Sequence, residues 1–158
     1  MDWNLEMLFV LRVLLAAGLG AVIGWERERH AREAGIRTYA AVSTGACVFG
    51  LISSHLATGA DPARIAAQVV SGVGFLGAGV ILREQGRITG LTTAATIWAT
   101  ASVGLALAFG MYVLGGLVAL IVVGLLAAHD LPGWPRLRNT TAATSEGEEG
   151  RGRRRHHD

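Results

Sequence analysis

Three groups of residues have types and spacings that suggest chemistry. Trp25-Glu26-Arg27-Glu28-Arg29 alternates carboxylates with guanidiniums, and Arg37-Thr38 follows a short polar stretch, so Glu26 and Arg37 are close enough in sequence to pair across a helical hairpin. Asp61-Pro62-Ala63-Arg64 reads as a helix start, with Asp61 as cap and Pro62 in the first turn. Arg64 opposes the positive end of that helix and therefore needs an acidic partner or an anionic ligand. Thr92, Thr96 and Thr100 recur every four residues with Thr93 beside them, which aligns hydroxyls along one helix face. Such hydroxyls either bond to their own helix carbonyls or to a neighbouring helix, or they line a polar path, to which Gln68 would add an amide oxygen.

Among metals, magnesium takes oxygen ligands, keeps several waters and usually needs only one or two carboxylates. Glu26 and Asp61 are the candidate ligands, yet the reading below puts them on opposite membrane faces, so they belong to different sites. His30, His55 and His129 are isolated, and His156-His157 lies in the tail. The single cysteine, Cys47, sits in an apolar stretch and reads as a small buried residue. No serine, cysteine or carboxylate has a base partner at defined spacing, so neither an enzyme nor a resident cofactor is expected.

Gly72-Val73-Gly74-Phe75-Leu76-Gly77 fits the G-x-G-x-x-G pattern of dinucleotide-binding turns. That pattern requires a preceding strand and an acidic residue about 20 positions later. The polar loop GADPAR precedes the run and the uncharged LTTAATIWA follows it, so a nucleotide is not expected. In a helix the same residues form a small-residue side, with Gln68, Ser71, Gly72, Phe75, Ala78 and Gly79 together, Val69, Val73, Leu76 and Val80 opposite, and Gly74 and Gly77 between. Small residues let helices approach closely in lipid, so Gly72, Gly74, Gly77 and Gly79 are expected to pack, with this helix at the centre of the bundle. Gly20 and Gly24 form a second such pair, G-x-x-x-G, which either joins two copies or is consumed within one chain.

The elements that must carry these residues are membrane helices. Apolar residues make up 51% of the chain, and the mean hydropathy is +0.43. Uncharged stretches long enough for a hydrocarbon core of about 30 Å run from Leu5 to Trp25, Thr38 to Gly59 and Ile65 to Leu82, and twice within Ile88 to Ala128 with a turn near Phe109-Gly110. The acidic start MDWNLE, with no small-residue cleavage site, makes the first of these a membrane helix instead of a leader peptide. The expected fold is therefore all-α, a polytopic bundle of about five transmembrane helices. Arg27, Arg29, Arg32, Arg37, Arg83, Arg87 and the six tail arginines fall on one side, against Arg64 and Arg12 near the other. The positive side is cytoplasmic, so the N-terminus lies outside and the C-terminus inside. Residues 1–129 form the transmembrane domain, and 130–158 read as a disordered cytoplasmic tail. A formal charge of +2 gives no argument for nucleic acid.

The segments GAVIGWERE (20–28), AGIRTYAAVSTGA (34–46), DPARIAAQVVSGVGFLGAGVILR (61–83) and GLTTAATIWATASVGLA (90–106) together resemble the MgtC/SapB family of membrane proteins. The resemblance covers roughly residues 12–125. It implies a bacterial inner-membrane protein linked to growth in low magnesium and, in some pathogens, to survival inside macrophages. It also implies an accessory or regulatory role beside other membrane proteins, with cation transport as the alternative. The residues it marks are Glu26, Arg27 and Glu28; Arg37 and Thr38; Asp61, Arg64, Gln68 and the stretch from Ser71 to Gly79; and Gly90 to Thr93. Many relatives carry a soluble cytoplasmic C-terminal domain where this sequence has the short tail after His129. A homo-oligomer, a dimer in the simplest case, is expected from the small-residue faces.

Overall fold

The computed structural model of the chain describes residues 3–56, 63–84 and 87–128. Asp61 and the tail from 130 to 158 lie outside the described residues. Five helices follow in order: α1 (Trp3–Arg29), α2 (Ile36–Leu56), α3 (Ala63–Gly79), α4 (Leu91–Ala108) and α5 (Tyr112–Ala127). Between α3 and α4 a small antiparallel hairpin pairs β1 (Leu82–Glu84) with β2 (Arg87–Thr89), in the register Leu82↔Thr89, Arg83↔Ile88. Leu82, expected to end the third span, and Ile88, expected to begin the fourth, both belong to the hairpin.

Local residues set several of the helix ends. Arg27 and Arg29 occupy the last turn of α1, where cations complement the negative end of the helix. The chain then turns through Ala31, at φ 49°. α2 is started by a side chain from the preceding helix, because the Glu28 Oε2 accepts the Ile36 N–H at 3.1 Å. Gly90 begins α4 at φ 83°, and a Cβ there would also overlap the Val80 carbonyl oxygen, so two independent constraints require glycine. The expected turn at Phe109-Gly110 is present, with Gly110 at φ 76° and the Met111 N–H bonded to the Ala106 carbonyl at 2.8 Å.

α1, α2 and α4 are long and apolar enough to cross a membrane. α3 and α5, with 17 and 16 residues, reach about 25 Å at about 1.5 Å per residue, somewhat less than the hydrocarbon core. Large apolar side chains cover the outside of the bundle, among them Leu14, Leu15, Leu120 and Leu125. A continuous apolar exterior of this kind is stable against lipid and unstable in water.

α4 is the centre. Thr93, Thr96, Ile97, Thr100, Ala101, Val103, Gly104, Ala106, Leu107 and Ala108 are all buried in it. α2 packs between α1 and α4, and glycines set both separations. A Cβ at Gly20 would meet the Tyr39 carbonyl oxygen at 2.5 Å, and one at Gly24 the Ile36 Cα at 2.6 Å. On the other side of α2, Gly104 lies directly on the Ser43 carbonyl, and a Cβ at Gly50 would meet the Ala108 Cβ at 2.6 Å. The G-x-x-x-G pair of α1 is thus consumed within the chain. α5 buries Gly115, Ala119, Val122 and Leu126, with Gly115 against Leu107 of α4.

The expectation for α3 is reversed. Val73 is buried and Val69 and Val80 pack against the core, while Gln68, Ser71, Gly72, Phe75, Ala78 and Gly79 are exposed. Nothing lies within 4 Å of a Cβ at Gly72, Gly74 or Gly79; Gly77 alone of the four approaches a neighbour, Ala94. α3 is a peripheral helix held by its valines. Their dispersion contacts with the core outweigh the close approach that glycines would allow, because a glycine contributes no side-chain atoms of its own.

Candidate functional site

A polar cluster is buried where the end of α1, the start of α2 and the start of α4 meet. Arg27 enters it from α1 and is 6% exposed. Its Nη2 donates to the Thr93 Oγ1 at 3.0 Å, and its Nε is buried with no partner. Tyr39, fully buried on α2, stands 2.6 Å from the Thr96 Oγ1. The Thr96 hydroxyl has one proton, which it gives to its own helix at the Thr92 and Thr93 carbonyls, 2.9 and 3.0 Å away. The Tyr39 hydroxyl is therefore the donor of the pair. Thr100 bonds back to the Thr96 carbonyl at 2.8 Å. Thr96 and Thr100 thus donate to their own helix while Thr93 and Thr96 accept from neighbouring helices, with Thr93, Thr96 and Thr100 buried and Thr92 exposed.

Glu26 stands beside this cluster. Its Oε1 lies 3.1 Å from the His30 Nδ1, one turn on, and its Oε2 is buried without a partner. The partner expected from sequence was Arg37, but Arg37 is exposed at the start of α2 and the helical geometry supplies His30 at i+4 instead. Thr38 is exposed beside it, and Glu28 is spent on starting α2. Among the described residues Arg27 has no carboxylate in ion-pair contact. The Glu26 Oε2, Arg27 Nε and Ser43 Oγ are buried atoms of the kind that water or a ligand satisfies.

Among the described residues no three His, Cys, Asp or Glu side chains gather as a metal cage. Glu26 offers a single carboxylate, enough for a hydrated magnesium ion in principle, and Asp61 lies outside the described residues. The cluster presents hydrogen-bond donors, one guanidinium and one carboxylate; it has no nucleophile paired with a base.

The α3 candidates are elsewhere. Arg64 is exposed in the first turn of α3, and Gln68 and Ser71 are exposed on the same helix. Gln68 borders a groove of about 490 Å³ between α2 and α3, lined also by Ala41, Gly45, Phe49, Ile65 and Leu76. It does not join the threonine stripe, whose Thr93, Thr96 and Thr100 are buried.

Sequence reading missed Tyr39, Ser43, Gly104 and Arg12. Arg12 crosses to the end of α4, where its Nη1 donates to the Ala108 carbonyl at 2.7 Å and its Nε to the Tyr112 hydroxyl at 2.9 Å. A lone arginine inside an apolar span was the signal for it, since a membrane cation needs a partner.

The family model described as the MgtC family matches residues 13–131. Protein MgtC of Salmonella typhimurium is 51% identical over 104 residues, 66% of this chain and 45% of that protein. The putative magnesium transporter YhiD of Escherichia coli is 45% identical over 115 residues, 68% of this chain and 54% of its own length. An uncharacterized protein of Synechocystis is 42% identical over 124 residues, 77% of this chain and 52% of its own length. The chain thus spans about half the length of the curated relatives it matches. No solved structure matches it. A family match across three quarters of the sequence, over the same helices that bury Arg27, Tyr39 and the threonines, makes this membrane protein a member of the MgtC family.

Proposed function

We propose that the chain is a multi-pass protein of the bacterial inner membrane that serves magnesium homeostasis or adaptation to low magnesium as an accessory or regulatory subunit, without covalent chemistry of its own. It crosses the bilayer about five times, N-terminus outside and C-terminus inside, as the arginine distribution favours. The observation that carries the accessory role is the open outer face of α3, where Gln68, Ser71, Phe75, Ala78 and Gly79 are exposed on one side. Phe75 is 82% exposed there beside glycines with free space over them. A small-residue face with one large anchor suits the close approach of another membrane helix, from a second copy or from another protein. Thr96 and Thr100 support the same reading, because their hydroxyls donate to carbonyls of α4.

A second reading, cation transport, is favoured by one relative's name as a putative magnesium transporter and by the unpartnered Glu26 Oε2. Magnesium flux into oriented proteoliposomes separates the two. The accessory role predicts flux equal to that of protein-free vesicles, together with loss of the oligomer or partner complex in Gly79→Leu, whose helical content stays normal. Flux above the vesicle background that falls in Glu26→Gln would overturn the accessory role.

A further inference from the structure

We propose that the groove between α2 and α3 is a binding site for one anionic glycerophospholipid, with an acyl chain in the groove and its phosphate at Arg64. The groove is lined almost wholly by apolar atoms, from Ala41, Val42, Gly45, Ala46 and Phe49 on α2 and from Ile65 to Leu76 on α3. Its half-exposed rim residues, Phe49 and Leu76, leave it open along one side to the surrounding hydrocarbon.

Dimensions choose the occupant. From Ile65 to Leu76 the α3 axis advances about 16 Å, at about 1.5 Å per residue. That is one leaflet of a hydrocarbon core about 30 Å thick. Divided by this length, the volume of about 490 Å³ gives a mean cross-section of about 30 Å². That is narrower than the about 80 Å² of a helix about 10 Å across, so a single hydrocarbon chain is what lies along the floor of the groove.

Charge then selects the headgroup. Arg64, Gln68, Gly72 and Leu76 follow one another at intervals of four, so they form one ridge of α3, and its last three members border the groove. Arg64 continues that ridge beyond the apolar end. Among the described residues it has no ion-pair partner, and its cation opposes the positive end of α3. A phosphate above the groove neutralises both, and the Gln68 amide stands one turn deeper, at the depth of the glycerol esters. This site shares Gln68 with the exposed face of α3 assigned to protein contact and lies apart from the buried Arg27 cluster.

Native mass spectrometry of the full chain in mild detergent, titrated with phosphatidylglycerol and with phosphatidylcholine, tests the assignment. One retained phosphatidylglycerol per chain is expected, held more tightly than phosphatidylcholine. Arg64→Ala should weaken phosphatidylglycerol about fivefold, the worth of one arginine near a headgroup, and leave phosphatidylcholine unchanged. Gly45→Leu should remove both lipids, because nothing lies within 4 Å of a Cβ at Gly45 and the side chain grows into the groove without disturbing the bundle. Gly18→Leu, equally unobstructed but on α1, controls for added bulk. Equal retention of lipid by Gly45→Leu and wild type, at matched helical content, would overturn the site. Equal loss of both lipids in Arg64→Ala would overturn the role of its charge. Neither result touches the magnesium flux measurement.

Discussion

Gly104 gives the sharpest test of where the bundle has its centre. It faces α2 so closely that an added Cβ would overlap the Ser43 carbonyl oxygen and stand 3.0 Å from both the Ala46 Cβ and the Cys47 nitrogen. Non-bonded carbons settle at about 3.5–4.0 Å, so Gly104→Ala must push α2 and α4 apart by roughly half an ångström or more. The obstacle is helix backbone, which no rotamer change can relieve. A gap of about 0.5–1 Å forfeits a quarter to a half of each contact along the interface, and overpacking of this sort costs about 1–3 kcal/mol. Gly72 is the comparison. Nothing lies within 4 Å of a Cβ there, and alanine should be neutral or gain up to about 1 kcal/mol of helix propensity. Both variants would be unfolded by titration with sodium dodecyl sulfate from mild detergent and followed by far-ultraviolet circular dichroism. The expected order of stability is Gly72→Ala at or above wild type, and Gly104→Ala below it. If Gly72→Ala proves the more damaging, α3 is the packed centre after all and the reasoning from these distances fails.

Tyr39→Phe removes the donor to Thr96 and leaves the Thr96 hydroxyl bonded to its own helix; a loss of about 0.6 kcal/mol, and at most about 2, is expected in the same titration. Arg12→Met removes the bonds to the Ala108 carbonyl and the Tyr112 hydroxyl and should cost about 1–3 kcal/mol, with Arg12→Lys restoring part of it because a cation still faces the end of α4. Orientation is read by labelling with a membrane-impermeant maleimide in a variant lacking Cys47. Cysteine at Gly59 should react from outside intact cells and cysteine at Gly86 only after permeabilisation, and the opposite pattern inverts the topology.

Several local features were legible because they rest on interactions within a few residues. The turn at Phe109-Gly110 is announced by a glycine near the middle of a charge-free run, and Gly110 does adopt a positive φ. The threonine stripe could be expected to bond to its own carbonyls, since that geometry exists in any helix. The Gly20 and Gly24 pair was recognisable as a packing face, although its partner, Tyr39 to Ser43 and Ile36 of α2, was not. By contrast, Glu26 found His30 and not Arg37 because the helix brings i+4 into reach before any hairpin partner.

Charge and hydropathy along the chain were enough to determine a membrane protein with helices of these approximate extents, because a bilayer needs long uncharged runs whatever the fold. The motif segments were enough for the family. What the tertiary structure alone decided is which side of each helix faces inward. In water the polar face of a helix identifies itself, but lipid is as apolar as leucine, so α3 has two admissible faces and periodicity cannot rank them. Packing against α2 and α4 turned Val69, Val73 and Val80 in and Gly72, Gly74 and Gly79 out. It also brought Arg27, Tyr39 and Thr93, distant in sequence, into one buried cluster, because three-body contacts between α1, α2 and α4 exist only once the helices are assembled.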